Sequence, residues 1–185
     1  MDQHFAISVA VNTLRSGGII AYPTESVFGL GCDPFNSAAL DRLLELKQRP
    51  AQAGLILIAG SFDQAMRYIR RSRSLSWKKI QASWPGPTTW VVPAANVHPM
   101  VTGGRRTVAM RVPDHPVCQA LCNTFGGAIV STSANITGRK PITTPLQLRK
   151  TFGQELDGIV NGALGGQQRP SQIIDAETNN ILRAG

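Results

Sequence analysis

The residues of this chain that could do chemistry are hydroxyls and cations rather than acid–base pairs. In YPTESVFGLG (22–31) an apolar run ends at a proline, and Thr24, Glu25 and Ser26 come out at the strand tip, where ligands of α/β sheets gather. The Thr24 hydroxyl is suited to donate to a carboxylate; a turn leading into a helix cap is the plainer alternative. In LKQRP, Lys47 and Arg49 fall where a helix gives way to a loop. Two cations there would stabilise the helix dipole, or would clamp phosphate, with Arg49 binding two oxygens at once. In TVAMRV (107–112), alternation puts Val108, Met110 and Val112 on one face and Thr107, Ala109 and Arg111 on the other. A hydroxyl, a gap and a guanidinium in a row suit an anion lying across a sheet, or make an ordinary solvated strand face. In STSAN (131–135), period-two spacing aims Ser131, Ser133 and Asn135 the same way while the segment stays extended. They would be directional donors for phosphate or ribose, or a capped turn. Ser171 enters RPSQIID, and Arg183 leaves ILRAG so near the chain end that, taken alone, it reads as surface.

Other chemistries find no footing. There is no GxxxxGK[ST], and Gly29 and Gly31 lack the third glycine of a dinucleotide loop. Cys118 and Cys122, with His115 three residues before the first, share one helical face, but no second ligand pair exists elsewhere. A half-buried helix face is expected there rather than a metal site. His4 and His98 have no nucleophile arranged with them, and no GxSxG elbow occurs.

The elements that must position these groups alternate along the chain. Phe5, Ile7, Val11 and Leu14 are spaced as a helix that Gly17 and Gly18 stop. IIAY (19–22) reads as a buried strand. Asn36 or Ser37 caps a helix with core residues Leu40, Leu43, Leu44 and Leu46, ending near Arg49 because Pro50 follows. LILIA (55–59) is a second buried strand, and Ser61 starts a helix with Phe62, Met66 and Ile69 inward, followed by Arg70, Arg71 and Arg73. Further strands are expected at 88–94, 107–112, 128–131 and 158–162, and helices at 115–124 and 145–153. QIID (172–175) and NILR (180–183) are spaced as a hairpin. Residues 93–106 and 162–170 read as loops. This pattern predicts an α/β fold with a twisted, mixed sheet flanked by helices.

The 185 residues fit one domain spanning 1–185 and can bury roughly 70% of the surface of the unfolded chain, so neither disulfides nor a structural metal is needed. Three cysteines are too few for a disulfide framework and suit a reducing, cytoplasmic setting. The N-terminus reads as a first helix rather than a signal peptide, and no apolar run is long enough to span a membrane. The formal net charge of +8, from 19 Lys+Arg against 11 Asp+Glu, favours anionic partners such as nucleotides or RNA.

YPTESVFGLG, LKQRP, SWPGPTTWVV, TVAMRVPDHP, STSANITGRKP and RPSQIID with ILRAG stand in the order and spacing of one family. Together they make the chain, from about residue 6 to its end, similar to the YrdC/TsaC family in its short form. The resemblance implies a YrdC/RibB-type sheet with a basic concave face. It also implies an L-threonylcarbamoyladenylate synthase, a nucleotidyltransferase that joins L-threonine, bicarbonate and ATP with loss of pyrophosphate. Its product would serve a downstream complex that modifies tRNA. By the same matching, Lys47, Arg49, Ser133 and Asn135 are implied as catalytic. Thr24, Arg111, Ser131 and Ser171 would bind threonine, and Arg49, Thr107, Ser133 and Arg183 would bind ATP. Magnesium would ride on the triphosphate, with no metal site of the protein's own. Longer relatives carry Asn-Pro and then a histidine where this chain has Ala53, Gly54 and Ile58, which puts those contacts in question. The competing expectation is a tRNA- or double-stranded-RNA-binding module without its own chemistry, on the charge and the Arg67, Arg70, Arg71 and Arg73 cluster.

Overall fold

The computed structural model describes residues 2–185. The first helix, α1 (Gln3–Arg15), is capped by Asp2, and strands β1 (Ile20–Pro23) and β2 (Phe28–Gly31) follow. Helix α2 (Ser37–Leu46) is capped by the Asn36 side chain, which accepts from the Ala39 amide. Next come β3 (Ile56–Ile58), α3 (Phe62–Ala65), α4 (Trp77–Ser83), β4 (Thr88–Pro93), α5 (Pro99–Thr102) and β5 (Thr107–Arg111). The chain ends with α6 (Pro116–Phe125), β6 (Ile129–Ser133), α7 (Pro145–Phe152), β7 (Gly158–Ile159), β8 (Gln172–Asp175) and β9 (Ile181–Arg183).

These strands form one mixed nine-stranded sheet in the order β7-β1-β2-β6-β3-β5-β4-β8-β9. The expected C-terminal hairpin is present as β8 and β9, and the Thr107–Arg111 alternation is observed residue by residue. Residues directly opposite one another share a face, so the register divides the sheet cleanly. Ala21, Leu30, Val130, Leu57, Met110, Val108, Trp90 and Val92 lie in one core with Leu40, Leu43 and Leu44 of α2. On the other face, Ile20, Tyr22, Ile58 and Ile129 pack under α1 and α6 through Ile7, Val11, Leu14, Val117, Leu121 and Cys122. That second cover stops part-way. On β5 the same face carries Thr107, Ala109 and Arg111, all partly exposed.

Several expectations are corrected. FGLG is a strand rather than a turn, because Gly29 and Gly31 let the Tyr22 ring lie against the sheet. A Cβ on Gly31 would stand 2.9 Å from Tyr22 Cε1 and 2.6 Å from the Val130 carbonyl oxygen. Residues 93–106 are not all loop: His98 caps α5, with Pro99 at its first position. The helix after Ser61 is a single turn that buries Gln64 and Ala65, with Phe62 and Met66 only partly buried against the same core; the Gln64 side chain bonds the Gly60 amide and the Cys122 carbonyl. Phe5 faces solvent, leaving Ile7, Ala10, Val11 and Leu14 as the buried stripe of α1. The 158–162 strand shortens to Gly158–Ile159.

Candidate active site

Lys47 is the C-cap of α2, and it turns inward rather than outward. The residue is only 2% exposed. Its ammonium donates to the Ser133 carbonyl at 2.5 Å and the Asn135 carbonyl at 2.8 Å. The Lys47 carbonyl in turn accepts from the amide and the hydroxyl of Thr137. Lys47 therefore buckles the 133–137 turn to the end of α2. Burial, aided by the charge of Arg49, pushes its amine down to about 8. The expected phosphate clamp thus splits in two: Lys47 shapes the loop, and Arg49 is the cation left at the surface.

Arg49 is partly buried. Its Nε and Nη2 both donate to the Gly54 carbonyl at 3.2 and 3.1 Å, which leaves Nη1 free of protein partners. Gly54 has φ +68°, a backbone conformation that favours glycine, and a Cβ there would also meet Arg105 Nη2 at 2.8 Å. Arg105 fastens the same turn by donating to the Gln52 and Ala53 carbonyls. Ile58 sits in the core beneath α6.

The loop after β6 folds on itself. The Ser133 hydroxyl donates to Asn135 Oδ1 at 2.6 Å, and Asn135 Nδ2 donates to the carbonyls of Ile136 and Arg139. Asn135 lies beyond the strand, so it does not extend the Ser131–Ser133 row as the spacing suggested. Its side chain rigidifies the loop, whereas Ser133 is exposed and Ser131 is partly exposed beside Ile56. Thr24 differs from expectation as well. Its hydroxyl donates to the Val27 carbonyl at 2.6 Å, so that proton is committed to the turn and a ligand meets only the oxygen lone pairs.

Arg111 leaves the end of β5 with Nε donating to the Gly86 carbonyl at 2.9 Å and Nη2 paired to Glu25 Oε1. Ser171 is buried, sharing a hydrogen bond with Thr89 at 2.9 Å. Arg183 Nη2 donates to the Ser171 carbonyl at 2.7 Å and approaches its hydroxyl at 3.3 Å. Burial lowers the Arg183 guanidinium from its ordinary range, and the charges of Arg111 and then Arg49 lower it further. Arg183 therefore lies within reach of the charges of two arginines from distant stretches of chain, Arg111 on β5 and Arg49 after α2. The β4–β5–β8–β9 register places Thr107, Ala109, Arg111 and Arg183 on one face of the sheet. Burial, and then Arg105, lowers Arg49 likewise.

Sequence reasoning passed over three contributors. Glu25 was noted at the strand tip without a role, yet it is 3% exposed and neutralises Arg111. Thr89 and Arg105 carry no signal beyond their residue type. The His115–Cys118–Cys122 face is fully buried rather than half-buried. Cys122 Sγ donates to the Ile58 carbonyl, and burial pushes its thiol up to about 12.

The domain is a mixed α/β fold in which arginines, serines and threonines, with one buried carboxylate, furnish a face of the sheet at the edge of the helical cover. The family model described as "Telomere recombination" (Sua5/YciO/YrdC) matches residues 12–185. The chain is 51% identical over 180 residues to a protein of Halorhodospira halophila named threonylcarbamoyl-AMP synthase, covering 97% of this chain and 94% of that one. It is 47% identical over 178 residues to the protein of the same name from Vibrio campbellii, covering 95% and 96%. Its fold superposes on Escherichia coli YciO with a TM-score of 0.86 at 27% identity, over 98% of this chain and 89% of that one. It also superposes on P. abyssi Sua5 complexed with L-threonine, with a TM-score of 0.84 at 32% identity. That match covers 93% of this chain and 51% of Sua5, so the chain spans about half of that longer protein. The chain belongs to the Sua5/YciO/YrdC family.

Proposed function

We propose that the chain is a single YrdC-like domain acting as a threonylcarbamoyl-AMP synthase, a nucleotidyltransferase of tRNA modification. The observation that carries this is the 51% identity, over 97% of its length, to a protein of that name. The threonine amine attacks the bicarbonate carbon, a C–O bond breaks with loss of water and of the proton that the ammonium form carried, and the carboxylate oxygen of the resulting carbamate attacks the α-phosphorus of ATP in line. The bond from that phosphorus to the bridging oxygen breaks, and pyrophosphate leaves. The nucleophile is already ionised at neutral pH, so the protein must mainly position it and offset phosphate charge. That requirement suits a site with three arginines and no general base.

In this reading Arg111 and the oxygen-rich rim of Thr24, Ser131 and Ser171 hold threonine. Arg49, Thr107, Ser133 and Arg183 hold the nucleotide, and Lys47 and Asn135 keep the 133–137 turn in shape. Among the described residues no group of three or more His, Cys, Asp or Glu is placed to hold a metal ion. Magnesium would arrive on the triphosphate, where it would offset phosphate charge. Among the described residues no helix is long and apolar enough to cross a membrane. Purified protein given threonine, bicarbonate, magnesium and ATP is expected to release pyrophosphate in a threonine-dependent way. Folded protein that releases none refutes the assignment.

A second activity, RNA binding, has its own observation. Arg67, Arg70, Arg71, Arg73, Lys78 and Lys79 are all exposed, and among the described residues none is in an ion pair. Reversing the charge of Arg70, Arg71 and Arg73 should weaken RNA binding and flatten its salt dependence while pyrophosphate release persists. Unchanged RNA affinity would remove this reading.

A further inference from the structure

We propose that Glu25 divides the arginine face into two anion subsites. It presets Arg111 for the amino-acid carboxylate and leaves Arg49 and Arg183 for the phosphates. The inference rests on the function proposed above. Glu25 Oε1 accepts from Arg111 Nη2 and, at 2.8 Å, from the Asp114 amide. Arg111 Nε is held by the Gly86 carbonyl. Two of the three nitrogens of the fork are thus fixed from behind, and Nη1 projects without a protein partner.

The carboxylate cannot swing away. The Gln167 amide donates to the Glu25 carbonyl at 2.9 Å and the Gly165 amide to the Thr24 carbonyl at 3.1 Å. The 163–167 segment lies so close over Glu25 that a Cβ on Gly165 would stand 2.9 Å from its Cα. Glu25 Oε2 is buried and has no protein partner, and through Oε1 Glu25 acts on Arg111. It is a positioning residue.

Charge supplies the selectivity. The ion pairs among the described residues are Arg42–Asp157 and Arg111–Glu25, so neither Arg49 nor Arg183 has a carboxylate partner there. Arg111, with its charge offset by Glu25, suits a monoanionic carboxylate. A triphosphate gains more at the uncompensated pair and is repelled by a buried carboxylate. Without Glu25, phosphate would settle on Arg111 as readily as on Arg49 and Arg183, and would occupy the amino-acid subsite.

The test is calorimetric binding of L-threonine and of inorganic pyrophosphate, each alone and in the presence of the other. In the parent, saturating pyrophosphate should change the threonine dissociation constant by less than about threefold. Glu25→Gln should bind threonine about tenfold more weakly, since a charge-assisted hydrogen bond is lost. It should bind pyrophosphate as well as the parent or better, and pyrophosphate should now compete with threonine. Glu25→Asp keeps the charge but shortens the reach, so threonine weakens while pyrophosphate binding stays at the parent value. Competition between the two ligands in the parent overturns the proposal, whether or not Glu25→Gln folds. So does an equal loss for both ligands in either variant, or threonine binding by Glu25→Gln within about twofold of the parent. A parent that binds both ligands independently but releases no pyrophosphate from ATP would instead sink the synthase reading and leave the partition standing.

Discussion

Replacing Lys47 with methionine keeps an unbranched chain of similar volume in the core and removes the ammonium, so packing changes little. What is lost is specific. The Ser133 carbonyl retains a second donor, the Asn135 amide, but the Asn135 carbonyl has Lys47 alone. One buried acceptor left unpaired costs about 1–3 kcal/mol. Loss of a charge-assisted bond to Ser133 adds to this, and relief of a buried cation subtracts. A net destabilisation of about 2 kcal/mol at pH 7 follows, or roughly 4–8 °C in Tm for a chain of this size. The pH dependence is sharper. The amine titrates at about 8 in the folded protein against an ordinary 10.5. Between those values the unfolded chain binds more protons than the folded one. The parent therefore gains stability as pH rises through the window and loses that gain as pH falls toward 8. At ~1.36 kcal/mol per pH unit the gain is at most about 3 kcal/mol. The three buried thiols, raised by burial, pull the other way in both proteins and cancel in the difference. Urea unfolding of parent and variant from pH 7 to 10.5 should show the difference between them widening. A flat difference, or equal stability at pH 7, refutes the buckle.

Arg49→Ala should lower pyrophosphate release at least about a hundredfold, the scale of a lost transition-state donor. Its Tm should fall by no more than a few degrees, because only the Gly54 carbonyl loses a partner; a collapse in Tm would make Arg49 structural. Gly31→Ala forces a Cβ against the Val130 carbonyl and the Tyr22 ring. It should cost about 1–3 kcal/mol in chemical denaturation, and a neutral result would show that β1 and β2 can separate.

Much of this architecture is readable from spacing. The period-two face of Thr107–Arg111, the C-terminal hairpin and the Asn36 cap are local features, and the structure has them as expected. What spacing hides are consequences of tertiary approach. FGLG lacks the branched residues of a strand, and only the Tyr22 ring packed across it explains its glycines. Lys47 looks like a surface cation at a helix end until the end of β6 and the loop after it deliver two carbonyls to it from 86 and 88 residues away. Glu25 looks like one more turn residue until Arg111, 86 positions on, closes on it. Arg183 is exposed, as its place near the chain end suggests, but its partnership with Ser171 is visible only once β8 and β9 lie side by side.

The two covers of the sheet account for why these groups end in one place. One face is wholly committed to the core with α2, so no ligand can reach it. On the other, α1 and α6 seal the β1 side with apolar residues and stop at Ile58 and Ile129. Any polar residue that β5, β8 or β9 turns toward that face is left beside the edge of the helical cover. Arg111 and Arg183 stand there, and the charges of Arg111 and of Arg49, from the loop after α2, disfavour the charged form of Arg183 in the empty protein. Only one is offset by a buried acid, and a bound polyanion would relieve the other two. The fold thus stores, at modest cost to its own stability, the charge imbalance that a phosphate-bearing ligand removes.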